Sequence, residues 1–179
     1  MPGPEFCRGD AVALHPVEED DLSFTQRYSN DPAIRAGLTT ATPQNAYEAE
    51  QAYEQYQDDD SGVGLLVVPV DEADPVGGIV LFDIDETHGT GELACWITPD
   101  AQGNGYAQAA TRLVLDHAFG ERRLHKVVAR ALVGNEPSRA TLEAVGFVEE
   151  GVQRDEKYVN GAFRDVIRYS MLRREWGDD

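Results

Sequence analysis

Lysine is almost absent from this chain. Of 15 basic residues only Lys126 and Lys157 are lysines, set against 33 acids, for a formal net charge of -18 over 179 residues. So little positive charge excludes nucleic acid and anionic membrane as partners, because both select basic surfaces. Cysteine is scarce too: Cys7 and Cys95 are too few for a disulfide framework and lack metal-ligand spacing. His15, His88, His117 and His125 show no metal spacing either, so no metal is expected. No apolar run approaches a membrane span and no charged-then-apolar leader opens the chain, which reads as cytoplasmic. What the chain has instead is acid in blocks, Glu18-Glu19-Asp20-Asp21 and Asp58-Asp59-Asp60. A basic partner protein would account for them. The simpler account is a halophilic one, a lysine-poor surface whose self-repulsion is screened in a salt-rich cytoplasm.

Residues 1–10 read as a flexible tail and 11–176 as one domain. Ala11 to Leu14 is a short strand, and Val17 to Ser29 a helix that Asp31-Pro32 breaks. A second helix opens at Thr42-Pro43, with Ala46, Ala49, Tyr53 and Tyr56 along one stripe. Strands follow at 63–70 and 75–84, joined by Asp71-Glu72-Ala73-Asp74. That tetrapeptide invites a helicase reading, which fails because no Gly-rich loop ends in Lys-Ser/Thr. Gly89 to Ile97 is a strand and Gly105 to Phe119 a long helix. Lys126 to Leu132 is a Val-rich, buried strand, and Asn135 opens a helix ending at Gly146. Strands at 148–153 and 163–172 close the chain around Asn160-Gly161, a tight hairpin signal. The order implies an α+β fold with a mixed sheet rather than repeated βαβ units.

The stretch that carries chemistry is Gln102-Gly103-Asn104-Gly105-Tyr106-Ala107. A strand that feeds a helix through two glycines leaves backbone N–H groups at the positive end of the helix dipole, a site for a phosphate-bearing ligand. A P-loop would need Lys-Ser/Thr where Tyr106-Ala107 stands. A dinucleotide fingerprint would need a small residue at Gln108 and a parallel βαβ setting. The Gln-x-x-Gly-x-Ala pattern of Gln102, Gly105 and Ala107 resembles instead the pyrophosphate loop of the GNAT acetyltransferases. Asn135-x-x-Ser138, Leu142-Glu143-x-x-Gly146-Phe147, Glu150-Gly151, the strand Glu92 to Ile97 and the tail from Asn160-Gly161 to Tyr169-Ser170 look like the RimJ/RimL-like branch, which acetylates N-termini of ribosomal proteins.

The resemblance covers residues 11–176. It implies a seven-stranded, largely antiparallel mixed sheet, splayed between its fourth and fifth strands and flanked by about four helices, with acetyl-CoA in the gap. The implied reaction is direct transfer of acetyl to a primary amine, a protein N-terminal α-amine first. A polyamine or aminoglycoside acceptor, or CoA binding without turnover, is the alternative. The sequence does not specify the oligomeric state; a homodimer is the one assembly considered. By resemblance Gln102, Gly103, Asn104, Gly105, Tyr106 and Ala107 hold the pyrophosphate, with side chains at the two glycines crowding it, and Tyr106 mostly packing. The backbone of Trp96, Ile97 and Thr98 pairs with the pantetheine arm. Asn135 bonds the pantetheine, caps its helix, or both. Leu142 stands where many relatives place the tyrosine that protonates the thiolate, so Ser138, one turn earlier on the same helix face, takes that role by hydrogen bonding. Glu92 is the first choice of base, its alternative an exposed strand glutamate. Asp165, among apolar neighbours, anchors the substrate ammonium or partners a buried arginine such as Arg154.

Overall fold

The computed structural model describes residues 2–39, 42–58 and 62–177, without the side chains of 55–58. The Tyr56 side chain of the expected helical stripe, the Asp58 side chain and the Asp59-Asp60 part of the acidic run lie outside what is described. The elements in order are β1 (Cys7–Arg8), β2 (Val12–Pro16), α1 (Leu22–Ser29), α2 (Pro32–Gly37), α3 (Ala46–Asp58), β3 (Val63–Pro69), β4 (Gly77–Asp85) and β5 (Thr90–Ile97). Then come α4 (Tyr106–Gly120), β6 (Lys126–Leu132), α5 (Glu136–Val145), β7 (Val148–Val159) and β8 (Ala162–Leu172). One eight-stranded sheet runs β1-β2-β3-β4-β5-β6-β8-β7. Every pairing is antiparallel except β5 with β6.

Three expectations are corrected here. The first ten residues contain a strand, because Cys7 and Arg8 pair with Leu14 and Ala13; this brings the strands among the described residues to eight. Five α-helices are described, since Asp31-Pro32 starts α2 rather than only ending α1. The Asp31 side chain accepts the Ala33 N–H and Pro32 takes the first turn, where its missing donor costs nothing. Asp21, in the acid block read as surface, is 6% exposed and accepts the Glu18 N–H.

Helix α4 buries Ala110, Val114, Leu115, Ala118 and Phe119 against Val12, Leu14, Val67, Leu81 and Leu93 of the sheet. Full burial of a leucine is worth about 1.5–3 kcal/mol, so this face anchors the helix whose first turn matters for function. The β7–β8 hairpin turns through Asn160 (φ 52°) and Gly161 (φ 82°). Both lie in the left-handed region that a two-residue hairpin of this twist needs. Strand β7 runs well past residue 153 because bulges, not a turn, interrupt its register.

The parallel β5–β6 ladder positions the site. It runs from Thr90–Lys126 to Leu93–Ala129 and stops. Strand β5 continues to Ile97 alongside β4, so the two strands diverge as the resemblance implied, between the fourth and fifth strands of a count that starts at β2.

Candidate active site

The divergence opens a cleft of about 550 Å³. One wall is the open edge of β5, another the first turn of α4, a third α5, and a fourth α2 through Ala33, Ile34, Gly37 and Leu38. The α4 entry is built locally. Pro99–Ala101 forms a 3-10 turn, the Gln102 side chain donates to the Ile97 carbonyl at 3.1 Å, and Asn104 Nδ2 donates to the Ala101 carbonyl at 3.0 Å. Gly103 (φ 84°) and Gly105 (φ 78°) then reverse the chain into the helix.

The first intrahelical bond is Ala109 N–H to the Gly105 carbonyl, at 3.0 Å. The N–H groups of Gly105, Tyr106, Ala107 and Gln108 therefore have no helical acceptor, and Gly105 supplies no side-chain cap. Added Cβ atoms at Gly103 and Gly105 would meet nothing within 4 Å. Within the protein itself, the glycines answer to backbone conformation rather than to crowding. A row of free N–H groups at the positive helix end, facing open space, fits a pyrophosphate.

The edge of β5 corrects the expected pantetheine contacts. Thr98 is buried and its N–H donates to the Val76 carbonyl, so that amide is already committed toward β4. Alternate residues point their amides to opposite edges. Ile97 and Cys95 therefore face the side where β6 has left. Trp96 lines the cleft, and its ring is stacked on Phe24 (5.6 Å, 30°) and beside Tyr28 (5.6 Å, 32°). Gly78 stands opposite Trp96 in register, and an added Cβ there would sit 2.8 Å from the indole Nε1. The missing side chain makes room for the ring.

Asn135 caps α5, its Oδ1 accepting the Ser138 N–H at 3.4 Å. Both residues line the cleft, with Leu142 one turn further on, 6% exposed. Glu92 sits on the same face of β5 as Ala94 and Trp96. It is no exposed strand glutamate: its side chain is 15% exposed and ion-paired with Arg130 of β6. Register explains the contact, because Glu92 pairs with Val128, and Arg130 is the next residue on that face. Arg130 itself lines the cleft. The Val-rich strand read as buried thus carries an exposed cation.

Asp165 is corrected. It does not line the cleft; its carboxylate accepts the Asp155 N–H at 2.8 Å, inside the register break of β7. Arg154 is exposed, so neither the substrate anchor nor the buried partner is borne out. Asn104 is exposed and also stands outside the lining. Trp96, Ile97, Gln102, Gly103, Gly105, Tyr106, Ala107, Asn135 and Ser138 do converge on one cavity. Among the described residues no group of His, Cys, Asp and Glu is arranged to hold a metal ion.

Residues 12–148 match the acetyltransferase (GNAT) domain family. The chain belongs to the GNAT acetyltransferases. As a GNAT protein it is an N-acetyltransferase, and acetyl-CoA is its acyl donor. It is 44% identical over 100 residues to the Bacillus subtilis protein YdaF, whose name assigns it provisionally to ribosomal N-acetylation; the match spans 56% of this chain and 55% of that one. It is 28% identical over 165 residues to the spermidine N(1)-acetyltransferase of Vibrio cholerae, covering 92% and 95% of the two chains. A crystal structure of the spermidine N-acetyltransferase from Vibrio cholerae, with CoA and spermine, superposes with a TM-score of 0.87 at 27% identity, over 92% of this chain and 96% of that one. A spermidine N-acetyltransferase from Vibrio cholerae has also been seen as a dodecamer.

Proposed function

We propose that this acetyltransferase acts on a protein or peptide N-terminal α-amine, in a ternary complex with acetyl-CoA and without a covalent enzyme intermediate. The observation that carries the transfer mechanism is the cleft itself, lined by the first turn of α4 with its uncapped N–H groups and by Arg130, whose partner Glu92 stands just outside the lining. The N-terminal acceptor rests on the 44% likeness to YdaF. The whole-chain likeness to spermidine acetyltransferases supports a second reading, a small polyamine acceptor.

In this scheme the N–H groups of Gly105 to Gln108 hold the donor's pyrophosphate. Ile97 and Cys95 offer backbone amides along the open edge of β5, one of them placed to polarise the thioester carbonyl. Asn135 keeps its Nδ2 for the pantetheine while Oδ1 caps α5. Glu92 takes the proton of the incoming ammonium, directly or through a water. The amine nitrogen then bonds the acetyl carbon as the C–S bond breaks; the Ser138 hydroxyl hydrogen-bonds the departing thiolate, which takes up the proton the new amide nitrogen sheds and leaves as the CoA thiol. No described helix is long and apolar enough to cross a membrane, and we assign the enzyme to the cytoplasm.

The test is acetyl-CoA with a panel of N-terminal peptides and polyamines in molar salt, read by CoA release and mass of the product. Acetylation of peptides at the α-amine supports the proposal. CoA binding without turnover on any amine would reduce the protein to a binding module.

A further inference from the structure

We infer that Arg130 determines the acceptor: it turns away polycations and admits an amine whose neighbourhood is neutral or apolar. This deepens the transferase reading and rests on it. Arg130 is the one charged side chain among the described residues lining the cleft, and no described lining residue is an aspartate or glutamate. A guanidinium stays charged at any working pH. Its place is fixed by two neighbours. Glu92 holds it from β5, and on β8 its register partner is Arg168, itself bound to Glu150 at 3.0 Å. Arg130 is more exposed than the carboxylate that pairs it, 35% against 15%, so the guanidinium rather than Glu92 is what meets the cleft. The α2 wall, Ala33, Ile34, Gly37 and Leu38, is apolar or backbone.

A polyamine brings a second ammonium into the cleft with the reacting one, and recognition of that charge needs a carboxylate or an aromatic face directed at it. Here it meets the Arg130 guanidinium and the apolar residues of α2, while the Trp96 ring is already covered by Phe24, Tyr28 and Gly78 and Tyr106 packs against the core. An N-terminal residue brings a single ammonium, a neutral peptide bond and a side chain that can lie against α2. Glu92 plays a separate part: as base it serves every acceptor equally, whereas Arg130 acts on the ratio between acceptors.

The experiment measures kcat/KM for spermidine and for a peptide with a small apolar first residue, at saturating acetyl-CoA, in the wild type and in R130Q, R130K and E92Q. Wild type favours the peptide by roughly 100-fold, the scale of a like-charge mismatch at an interface. R130Q narrows that preference at least about ten-fold and R130K preserves it. E92Q lowers both rates and, by removing the carboxylate that pairs Arg130, keeps or widens the preference for the peptide. A wild type that prefers spermidine, or a ratio unmoved in R130Q, overturns the assignment. A merely structural role for Arg130 would lower both rates together. Calorimetric binding of each acceptor to the CoA-saturated protein gives the same ordering independently of turnover. Peptide binding in the expected order without acetylation would defeat the transferase mechanism and keep the selection; acetylation of both acceptors alike would do the reverse.

Discussion

Replacing Gly105 separates conformation from ligand contact at the loop that opens α4. The residue sits at φ 78° with open space where a Cβ would go, so alanine there carries no packing penalty. What remains is the cost of a left-handed L-residue, about 1–2 kcal/mol. For a chain of this length each kcal/mol lowers the melting temperature by about 2–4 °C, so Gly105→Ala should melt roughly 2–8 °C early. Asparagine tolerates the left-handed region, and Gly105→Asn should recover most of that loss. CoA affinity should behave differently, since either side chain takes up open space at the turn that a bound pyrophosphate would occupy. Both variants should weaken CoA about ten-fold or more. The checks are thermal melts of the free protein and calorimetric titration with CoA. If Gly105→Asn melts as early as Gly105→Ala, the conformational account fails. If CoA affinity recovers in step with stability, the anion site is not at this turn.

Other expectations follow from the same geometry. Glu92→Gln should lower kcat by about 100-fold or more with CoA affinity unchanged, and Ser138→Ala should lower it less; an unchanged kcat removes the residue from the mechanism. Lys126, Ser170 and Arg168 all donate to Glu150, and the bond from Lys126 is the main force holding its carboxyl below the ordinary glutamate range. A depressed carboxyl stabilises the fold above its unfolded pKa, about 4.3, and the contribution fades as pH falls through the lower folded value. Glu150→Gln should therefore lower the melting temperature at neutral pH and close the gap to wild type in acid; a gap that does not change with pH refutes this. Burial pushes the Cys95 thiol up to about 12, so in the folded protein at pH 8 it should resist alkylation that occurs after unfolding. With a net charge of -18, dialysis from molar to millimolar salt should lower the melting temperature, and a salt-independent melt would remove the halophilic reading.

Local signals carried much of this molecule into view. Gln102 to Ala107 could be read because strand, glycines and helix are contiguous, and Asn135, Ser138 and Leu142 because one helical turn places them together. Strand β1 escaped notice since two residues cannot show a period; its existence depends on Leu14 and Ala13 offering an edge. Helix α2 was hidden by Asp31-Pro32, a dipeptide that ends one helix and caps the next. Arg130 was missed for a different reason. Its meaning comes from the parallel register that sets Glu92 beside Val128, and no spacing within either strand contains that. The available hint was a charge inside a run of valines and alanines. Asp165 misled in the opposite way: its apolar neighbours suggested a ligand, and the actual partner is a backbone amide at an irregular point of β7.

The short β5–β6 ladder has a mechanical consequence. Four residue pairs are what directly joins a five-strand leaf to a three-strand leaf, with α4 and α5 laid across one side. Such a seam is where local opening should begin, exposing the β6–β8–β7 leaf to hydrogen exchange ahead of the rest. A donor whose arm lies along the free edge of β5 would then act as a removable rib. Its occupancy would add RT ln(1 + [L]/Kd) to the closed state, about 2.7 kcal/mol at a hundred-fold excess over Kd. The rigidity of this sheet would in that case follow the cell's supply of acetyl-CoA.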